Sequence, residues 1–90
     1  MAFEWDEGKR AANLAKHGVD FLDVTPLFDG ETVEMVDDRK DYGETRINCL
    51  GAIEGRVYSV TYTWRGAVRR IISARKANER EQGTYHARNR

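Results

Sequence analysis

The stretch RVYSVTYTWRGAVRRIISARKANERE, residues 56–81, decides the fold. Valine, isoleucine, threonine, tyrosine and tryptophan dominate its first two thirds, which predicts strands at residues 57–64 and 67–74 joined by a turn at Arg65-Gly66. The hairpin also carries an unusual number of arginines: Arg56, Arg65, Arg69, Arg70 and Arg75. A guanidinium group keeps its charge at ordinary pH and binds phosphate through two parallel hydrogen bonds. The hairpin is therefore a candidate platform for a polyanion.

A capping box follows the hairpin. Asn78 and Glu81 stand three residues apart, and in this motif each side chain accepts a hydrogen bond from the other residue's backbone amide at the start of a helix. The pair predicts a final helix from residue 79 to about residue 85. Gly83 lies inside this helix and weakens it, because glycine loses much conformational freedom when it becomes helical.

The N-terminal half begins with a helix whose two ends are specified. Asp6 can accept hydrogen bonds from the free amides of the first turn, and the apolar spacing that follows predicts a helix over Glu7–His17. Gly18 suits the left-handed position that ends a helix. Val19 would then contact Leu14, as in a Schellman motif.

A second, short helix is predicted directly afterwards, with Asp20 as its cap and apolar residues at spacings of three and four. Pro26 interrupts this helix, because proline has no amide hydrogen and crowds the preceding turn. We expect a kink or an early 3₁₀ end at this point, before Asp29-Gly30 turns the chain.

Two more strands complete the predicted sheet. Residues 32–36 and 45–53 are rich in strand-forming side chains, and the polar, glycine-containing segment 37–44 between them predicts a loop. The order of elements is thus α-α-β-β-β-β-α. This order indicates a single α+β domain over residues 1–90, with an antiparallel four-stranded sheet flanked by helices.

Composition limits the class of protein. With 90 residues, 40% hydrophobic and 33% charged, the chain fits one small globular domain rather than a disordered segment. No apolar run approaches the roughly 20 residues that a membrane span needs, and the N-terminus lacks a signal-peptide pattern. The one cysteine, Cys49, permits no internal disulfide, so we expect a cytoplasmic protein in which Cys49 is a small core side chain rather than a nucleophile.

The net charge is zero, but the charges are distributed unevenly along the chain. Residues 1–45 hold 5 basic and 12 acidic side chains, whereas residues 46–90 hold 10 basic and 3 acidic ones. Such asymmetry indicates two surfaces with different partners, and the basic surface can steer an anion despite the zero total. The alternative is that the two halves neutralise each other within one fold.

The chemical inventory is short. The chain has no metal-binding spacing of His and Cys, no phosphate-binding glycine loop and no Gly-x-Ser-x-Gly elbow, so no metal or other cofactor is predicted. Arginines, a few carboxylates, His17 and Tyr85 remain. They suit RNA cleavage by the substrate's own 2′-hydroxyl group, in which a base and an acid move protons and fixed cations stabilise the extra charge on the phosphate. Histidine changes its charge near neutral pH, which suits both proton transfers.

Over residues 3–85 the chain resembles the BrnT toxins of type II toxin–antitoxin systems. The N-terminal carriers of the resemblance are Phe3-Glu4-Trp5-Asp6, Lys9, Asn13, Lys16-His17-Gly18-Val19 and Phe21. The carriers in the sheet and the last helix are Gly43-Glu44, Arg46, Arg65-Gly66, Arg70-Ile71-Ile72-Ser73-Ala74-Arg75, Ala77, Glu81 and Tyr85. No single piece is specific, but the ordered set at these spacings is. The chain departs from the family pattern at Pro26, Trp64 and Arg69.

The resemblance implies a RelE-like fold and an mRNA-directed, metal-independent ribonuclease that halts translation. It also implies a partner, a ribbon-helix-helix DNA-binding antitoxin, which would form a 2:2 complex with the toxin and would itself make the contact to operator DNA. Matched by position, the resemblance assigns catalysis to Arg46, Arg65, Arg70 and Arg75. His17 is a further candidate as acid or base, and the candidate RNA contacts are Arg69, Lys76 and Tyr85.

Several of these residues have a structural alternative. Strict alternation along residues 68–75 places Arg70 and Arg75 on opposite faces of the sheet, so either a bulge intervenes or the strand ends before Arg75. The arginines can also be salt-bridge partners of the acidic first half. His17 can be a structural residue at a helix C-terminus, and Tyr85 can be an aromatic clamp for the last helix.

Two other functions fit the same residues. One is a non-catalytic module that binds RNA or the ribosome through the same arginines without a competent base. The other is an interaction protein that only holds the antitoxin. Three results separate these functions. A ribonuclease cleaves RNA, a binding module binds RNA without cleaving it, and an interaction protein causes no growth arrest when it is expressed alone.

Overall fold

The computed structural model describes residues 2–89 and contains five strands and three α-helices in that range. In chain order they are β1 (Phe3–Glu4), α1 (Glu7–His17), α2 (Phe21–Val24), β2 (Thr32–Asp37), β3 (Arg46–Ile53), β4 (Arg56–Arg65), β5 (Val68–Lys76) and α3 (Glu79–Arg88), with a 3₁₀ helix over Thr25–Asp29 after α2. The strands form one sheet in the order β1-β5-β4-β3-β2. The α+β class is confirmed, and so is the antiparallel pairing of each strand from β2 to β5 with the next one along the chain.

The predicted four-stranded antiparallel sheet is wrong in one respect, because a fifth strand makes the sheet mixed. β1 pairs in parallel with β5, with Phe3 opposite Arg69 and Glu4 opposite Arg70. The backbone amide of Arg69 donates a hydrogen bond to the carbonyl of Ala2 at 3.1 Å. A strand of two residues has no apolar alternation to detect, so the sequence pattern does not reveal it.

The first helix has the two ends that the sequence predicts. The carboxylate of Asp6 accepts a hydrogen bond from the amide of Lys9 at 2.9 Å. Gly18 adopts the left-handed conformation with φ 69°, and its amide donates to the carbonyl of Leu14 at 2.9 Å. This bond is that of the simpler αL motif rather than of the predicted Schellman motif. Accordingly Leu14 is exposed, while Val19 is buried in the core.

The second helical segment changes its geometry near Pro26, as predicted. The carboxylate of Asp20 caps α2 by accepting from the amide of Leu22 at 3.0 Å. After the four residues of α2 the chain continues as the 3₁₀ helix, with Pro26 near its start. A missing amide hydrogen is tolerated in a first turn, because the amides there have no partner within the helix.

The main core lies between these helical segments and one face of the sheet, which we call the helix-covered face. Its buried residues are Val19, Phe21, Val24, Leu27, Phe28, Cys49, Val60, Tyr62, Ile71 and Ala74. Leu27 packs so closely on Gly51 of β3 that a β-carbon added there would lie 2.5 Å from Leu27 Cγ. Cys49 is fully buried, and this burial raises the pKa of its thiol to about 12, which fits the predicted core role.

The third helix packs on the opposite face of the sheet, over a smaller cluster of Val33, Leu50, Val57, Ala77 and Tyr85. Its capping box is confirmed, with the side chain of Asn78 accepting from the amide of Glu81 at 2.8 Å and the carboxylate of Glu81 accepting from the amide of Asn78 at 2.9 Å. The helix runs to Arg88, beyond the predicted end near residue 85. Among residues 2–89, no helix is long and apolar enough to cross a membrane.

A side chain rather than a strand closes the edge of β5 beyond β1. Asn13 of α1 is buried, and its amide nitrogen donates to the carbonyl of Ala74 at 2.8 Å and to that of Val19 at 2.9 Å. Its amide oxygen accepts from the backbone amide of Ala74 at 3.1 Å. Asn13 thus satisfies both backbone groups of Ala74 and fixes α1 beside β5.

Candidate functional site

A β-bulge in β5 determines which side chains share a face of the sheet. Along β4 and β5, Thr61 lies opposite Ser73 and the next residue, Tyr62, lies opposite Ile71. Ile72 is therefore an extra residue in β5. Such a bulge reverses the alternation of side chains beyond it.

The bulge places Arg70 and Arg75 on the same face. Arg70 lies opposite Thr63 and Arg75 lies opposite Ser59, and two β4 residues an even number apart point to the same side. Of the two alternatives that the sequence left open for these arginines, the bulge is the one that occurs. By the same alternation, this face carries all four arginines that the resemblance assigns to catalysis, and we call it the arginine face: Arg46, Arg65, Arg70 and Arg75.

Three of these arginines pair with carboxylates from the acidic first half of the chain. Glu44 lies 3.5 Å from Nε of Arg46 and 3.2 Å from Nη2 of Arg65. Glu4 of β1 forms an ion pair with Arg70. The side chains in these pairs are partly exposed, so each pair contributes little to stability. Their main effect is to hold the guanidinium groups at the surface of the face.

The fourth arginine, Arg75, is held by two parallel hydrogen bonds. Its Nη1 and Nη2 donate to the two carboxylate oxygens of Glu81 at 2.7 and 2.9 Å. The same carboxylate accepts from the amide of Asn78, so Glu81 fixes both Arg75 and the start of α3. The guanidinium lowers the pKa of Glu81, and the carboxylate raises the pKa of Arg75. The side chain of Arg75 remains 41% exposed, so its charge is still accessible to a ligand.

Arg75 lines a polar cavity of about 360 Å³ on the arginine face. The residues that line this cavity are Met35, Val36, Asp37, Asp38, Arg39, Asn48, Thr61, Ser73, Arg75 and Glu81. Side chains with hydroxyl, amide or guanidinium groups commonly donate hydrogen bonds to phosphate oxygens, and Ser73, Asn48 and Arg75 supply one of each. The cavity therefore has the chemistry to bind a phosphodiester group beside Arg75.

Asp37, at the end of β2, fixes the side of the cavity opposite β5. Its side chain is only 2% exposed and accepts two hydrogen bonds from the guanidinium of Arg39, at 2.8 and 2.9 Å. The hydroxyl of Tyr42 donates to the same carboxylate at 3.3 Å. The hydrogen bonds from Arg39 lower the pKa of Asp37 to about 2, so this carboxylate is ionised at neutral pH.

His17 lies outside this cavity. It lines a shallow depression of about 240 Å³ between α1 and β5, together with Lys9, Ala12, Asn13, Lys16, Ile72 and Ser73. Ser73 lines both the cavity and the depression, so the two are adjacent across β5. The structure thus places Arg75 and His17 in neighbouring sites rather than in a shared one.

Arg69, a predicted RNA contact, lies on the helix-covered face. Its guanidinium carbon is 4.5 Å from the ring centres of Phe28 and Trp64 and 5.2 Å from that of Tyr62. Trp64 is 44% exposed, so this group of rings reaches the surface. Arg69 is thus separated from the arginine face by the thickness of the sheet, although it is next to Arg70 in sequence.

The other two predicted RNA contacts also lie away from the cavity. Tyr85 is buried, and its hydroxyl donates to the carbonyl of Glu31 at 3.1 Å, which is the position expected of an aromatic clamp for α3. Lys76 is exposed at the end of β5 and lines a small hollow with Asp20 and Asp23.

Sequence reasoning did not identify the polar lining of the cavity. Asn48, Thr61 and Ser73 lie on strands in which polar and apolar residues alternate, and this pattern does not separate a cavity from ordinary solvent exposure. The sequence predicts Glu81 mainly as a capping residue, because its contact with Arg75 depends on how the start of α3 is oriented relative to the end of β5. Within residues 2–89, no three His, Cys, Asp or Glu side chains are grouped so that they could hold a metal ion.

The match to a known protein family spans most of the chain. Residues 5–81 match the family described as the ribonuclease toxin, BrnT, of type II toxin–antitoxin systems. This range includes α1, the strands β2 to β5 and the capping box of α3. No match was found among curated proteins. The family match identifies the chain as a member of the BrnT family of ribonuclease toxins of type II toxin–antitoxin systems.

Proposed function

We propose that this toxin is a metal-independent endoribonuclease that cleaves mRNA by attack of the substrate's own 2′-hydroxyl group and so halts translation. The observation that carries the proposal is the bulge at Ile72, which brings Arg75 onto the face of the sheet that carries Arg46, Arg65 and Arg70. An RNA strand lying on this face meets several fixed cations, and one of them lines a cavity.

Arg75 is the residue best placed to act on the scissile phosphate. Attack by the 2′-oxygen adds negative charge to the phosphate, and a cation that is already oriented lowers the barrier without further reorganisation. The two hydrogen bonds from Glu81 supply this orientation. Because guanidinium has five N–H donors, Arg75 retains donors for phosphate oxygens while it is bound to Glu81.

Proton transfer falls to His17 in this proposal. The cavity carboxylates of Asp37 and Glu81 have lowered pKa values, so they are weak bases at neutral pH. Histidine changes its charge in the required range. The depression that holds His17 adjoins the cavity at Ser73, so a nucleotide bound at Arg75 lies close to it.

The test is cleavage of labelled RNA by the purified protein in the presence of a metal chelator. Products with cyclic phosphate ends are expected, because the 2′-oxygen stays bonded to phosphorus. Arg75→Ala removes the cation from the cavity, while Arg56→Ala removes an exposed arginine at the start of β4 and serves as the matched control. Absence of cleavage by the wild-type protein, or cleavage that a chelator abolishes, contradicts the proposal.

A second function, binding of RNA or the ribosome without cleavage, is favoured by two observations. The arginines of the face are all paired with carboxylates, and the histidine lies outside the cavity. The same assay separates the two functions, because a binding module retains the labelled RNA intact. Growth arrest on expression of the chain alone excludes the third function, a protein that only holds the antitoxin.

We also propose that a ribbon-helix-helix antitoxin covers the arginine face. Two toxins would bind one antitoxin dimer, and contact with operator DNA would come from the antitoxin. Because charge complementarity acts mainly on the association rate, association should slow as salt rises while dissociation changes less. Light scattering should find a monomeric toxin and a 2:2 complex, and a free toxin that dimerises contradicts this arrangement.

Three finer predictions made from the sequence belong to the same proposal. They are a RelE-like fold, one domain over residues 1–90 and a site of action in the cytoplasm. An experimental structure of the complex with its antitoxin tests the first two, and fractionation of the host cell tests the third.

A further inference from the structure

The depression beside α1 differs from the cavity in its charge. Its charged or titratable lining residues are Lys9, Lys16 and His17, and none of its lining residues is acidic. Among the described residues, neither lysine forms an ion pair or a side-chain hydrogen bond. The ammonium groups are therefore available to an anion from solution.

The cavity, in contrast, carries its own counter-charges. Two arginines line it, and so do three carboxylates: Asp37, Asp38 and Glu81. A phosphate that enters the cavity shares Arg75 with Glu81 and meets the negative charge of these carboxylates, whereas a phosphate in the depression displaces only water and salt ions. The depression is thus the better site for binding a phosphate group that does not react.

We propose that the depression is a second RNA-backbone site, in which Lys9 and Lys16 bind phosphates of a single strand that continues from Arg75. This inference rests on the proposed function. Ser73 lines both sites, so the strand crosses β5 at this residue, next to the bulge at Ile72. The two lysines add length to the contact with the substrate and take no part in the chemical step, which the proposed function assigns to Arg75 and His17.

The spacing of the two lysines fits a contact that follows a strand. Residues seven apart on a helix lie on the same side, about 10 Å apart along the axis. Lys9 and Lys16 therefore line the depression along the length of α1 rather than at one point. Lysine is a point charge on a flexible stem, which suits the backbone of RNA without selecting a base.

The test uses the full chain and a 2′-O-methyl RNA oligonucleotide, which lacks the attacking hydroxyl group and cannot be cleaved by this route. Binding is measured by fluorescence anisotropy over a series of salt concentrations. Each phosphate contact on a single strand contributes about 0.7 to the slope of log K against log salt, so the double variant Lys9→Gln/Lys16→Gln should lose about 1.4 from the slope. The matched control, Arg56→Gln/Arg80→Gln, removes two exposed arginines elsewhere and should leave the slope unchanged.

A cleavage assay separates failure of this inference from failure of the proposed function. In the double variant, KM should rise while kcat stays that of the wild type, because the two lysines bind phosphates that do not react and Arg75 and His17 are unchanged. An unchanged slope in a protein that still cleaves RNA overturns this inference and leaves the proposed function intact. A wild-type protein that neither binds nor cleaves RNA overturns both. A double variant that keeps the RNA slope but loses antitoxin binding assigns the depression to a protein partner and also overturns the inference.

Discussion

The two faces of the sheet hold their arginines in different ways, and the neighbours Arg69 and Arg70 show the contrast. Arg69 on the helix-covered face is surrounded by the rings of Phe28, Tyr62 and Trp64. Arg70 on the arginine face is paired with a partly exposed carboxylate. A guanidinium enclosed by aromatic rings is part of the packing, whereas one held by an exposed carboxylate contributes little stability and stays accessible. The face of the sheet, rather than the position in sequence, therefore indicates the role of each arginine.

The largest expected effect is a loss of activity without a loss of stability, on the arginine face. Arg75→Ala should lower the rate of RNA cleavage by about 10²–10³, by comparison with the removal of one transition-state donor. Arg75→Lys should restore little, because the forked geometry is lost. Urea unfolding should change by less than about 1 kcal/mol, since the pair with Glu81 is partly exposed.

The control for this substitution is Arg56→Ala, which should keep the wild-type rate of RNA cleavage and the wild-type free energy of unfolding. Arrest of growth gives a second readout in cells. An Arg75→Ala variant that cleaves RNA and arrests growth like the wild type would show that Arg75 is structural and that the reacting phosphate lies elsewhere.

The next effect concerns the helix-covered face, where we expect a loss of stability without a loss of activity. Gly51→Ala introduces a β-carbon 2.5 Å from Leu27 Cγ, so the core must shift. Overpacking of this kind costs about 1–3 kcal/mol in the free energy of unfolding. Cleavage by the fraction that remains folded should be unchanged, because the clash with Leu27 lies on the helix-covered face and the cavity lies on the arginine face.

Gly83 offers a matched control for this comparison. A β-carbon at Gly83 meets nothing within 4 Å, and Gly83 lies inside α3. Gly83→Ala should therefore stabilise the protein by up to about 1 kcal/mol, through helix propensity alone. Urea denaturation measures the free energy of unfolding of both variants and of the wild type. Equal stability of Gly51→Ala and wild type would mean that Leu27 moves aside without cost.

A smaller effect is expected from Arg69→Met, which keeps an unbranched side chain of similar shape and removes the charge. The loss of the contacts with three aromatic rings should destabilise the fold by about 0.5–2 kcal/mol. RNA affinity measured on the folded protein should stay the same. A loss of affinity at unchanged stability would instead support the sequence-based prediction that Arg69 contacts RNA.

Local signals in the sequence were sufficient for most of the secondary structure. The caps at Asp6 and Asn78, the left-handed Gly18 and the change of geometry near Pro26 each depend on a few neighbouring residues, and all four are present. Such features can be predicted because the interacting groups are close in sequence.

The features that remained open depend on pairing between distant segments. β1 is too short to show a pattern and exists because its two residues pair with β5. The odd spacing of Arg70 and Arg75 raised the question of a bulge, but the register against β4 decides it. The same holds for the cavity, whose members come from β2, β3, β4, β5 and α3. A short polar segment in sequence therefore does not show which groups it will meet.

The smallest expected effect concerns the pH dependence of stability through Asp37. Hydrogen bonds from Arg39 lower the pKa of Asp37 from 3.8 to about 2 in the folded protein. A group whose pKa falls on folding binds fewer protons when folded, so its stabilising contribution is present above about pH 4 and is lost as the pH falls towards 2. Asp37→Asn should therefore be less stable than wild type at about pH 5, and the difference should shrink as the pH approaches 2. The side chain of Arg39 is 78% exposed, so solvent screening keeps this contribution small compared with the effect of Gly51→Ala.

Urea unfolding across this pH range measures the difference in stability between Asp37→Asn and the wild type, with Asp38→Asn, at an exposed neighbouring residue, as the control. A difference that stays constant down to pH 2 would mean that Asp37 acts through the shape of its side chain rather than through its charge.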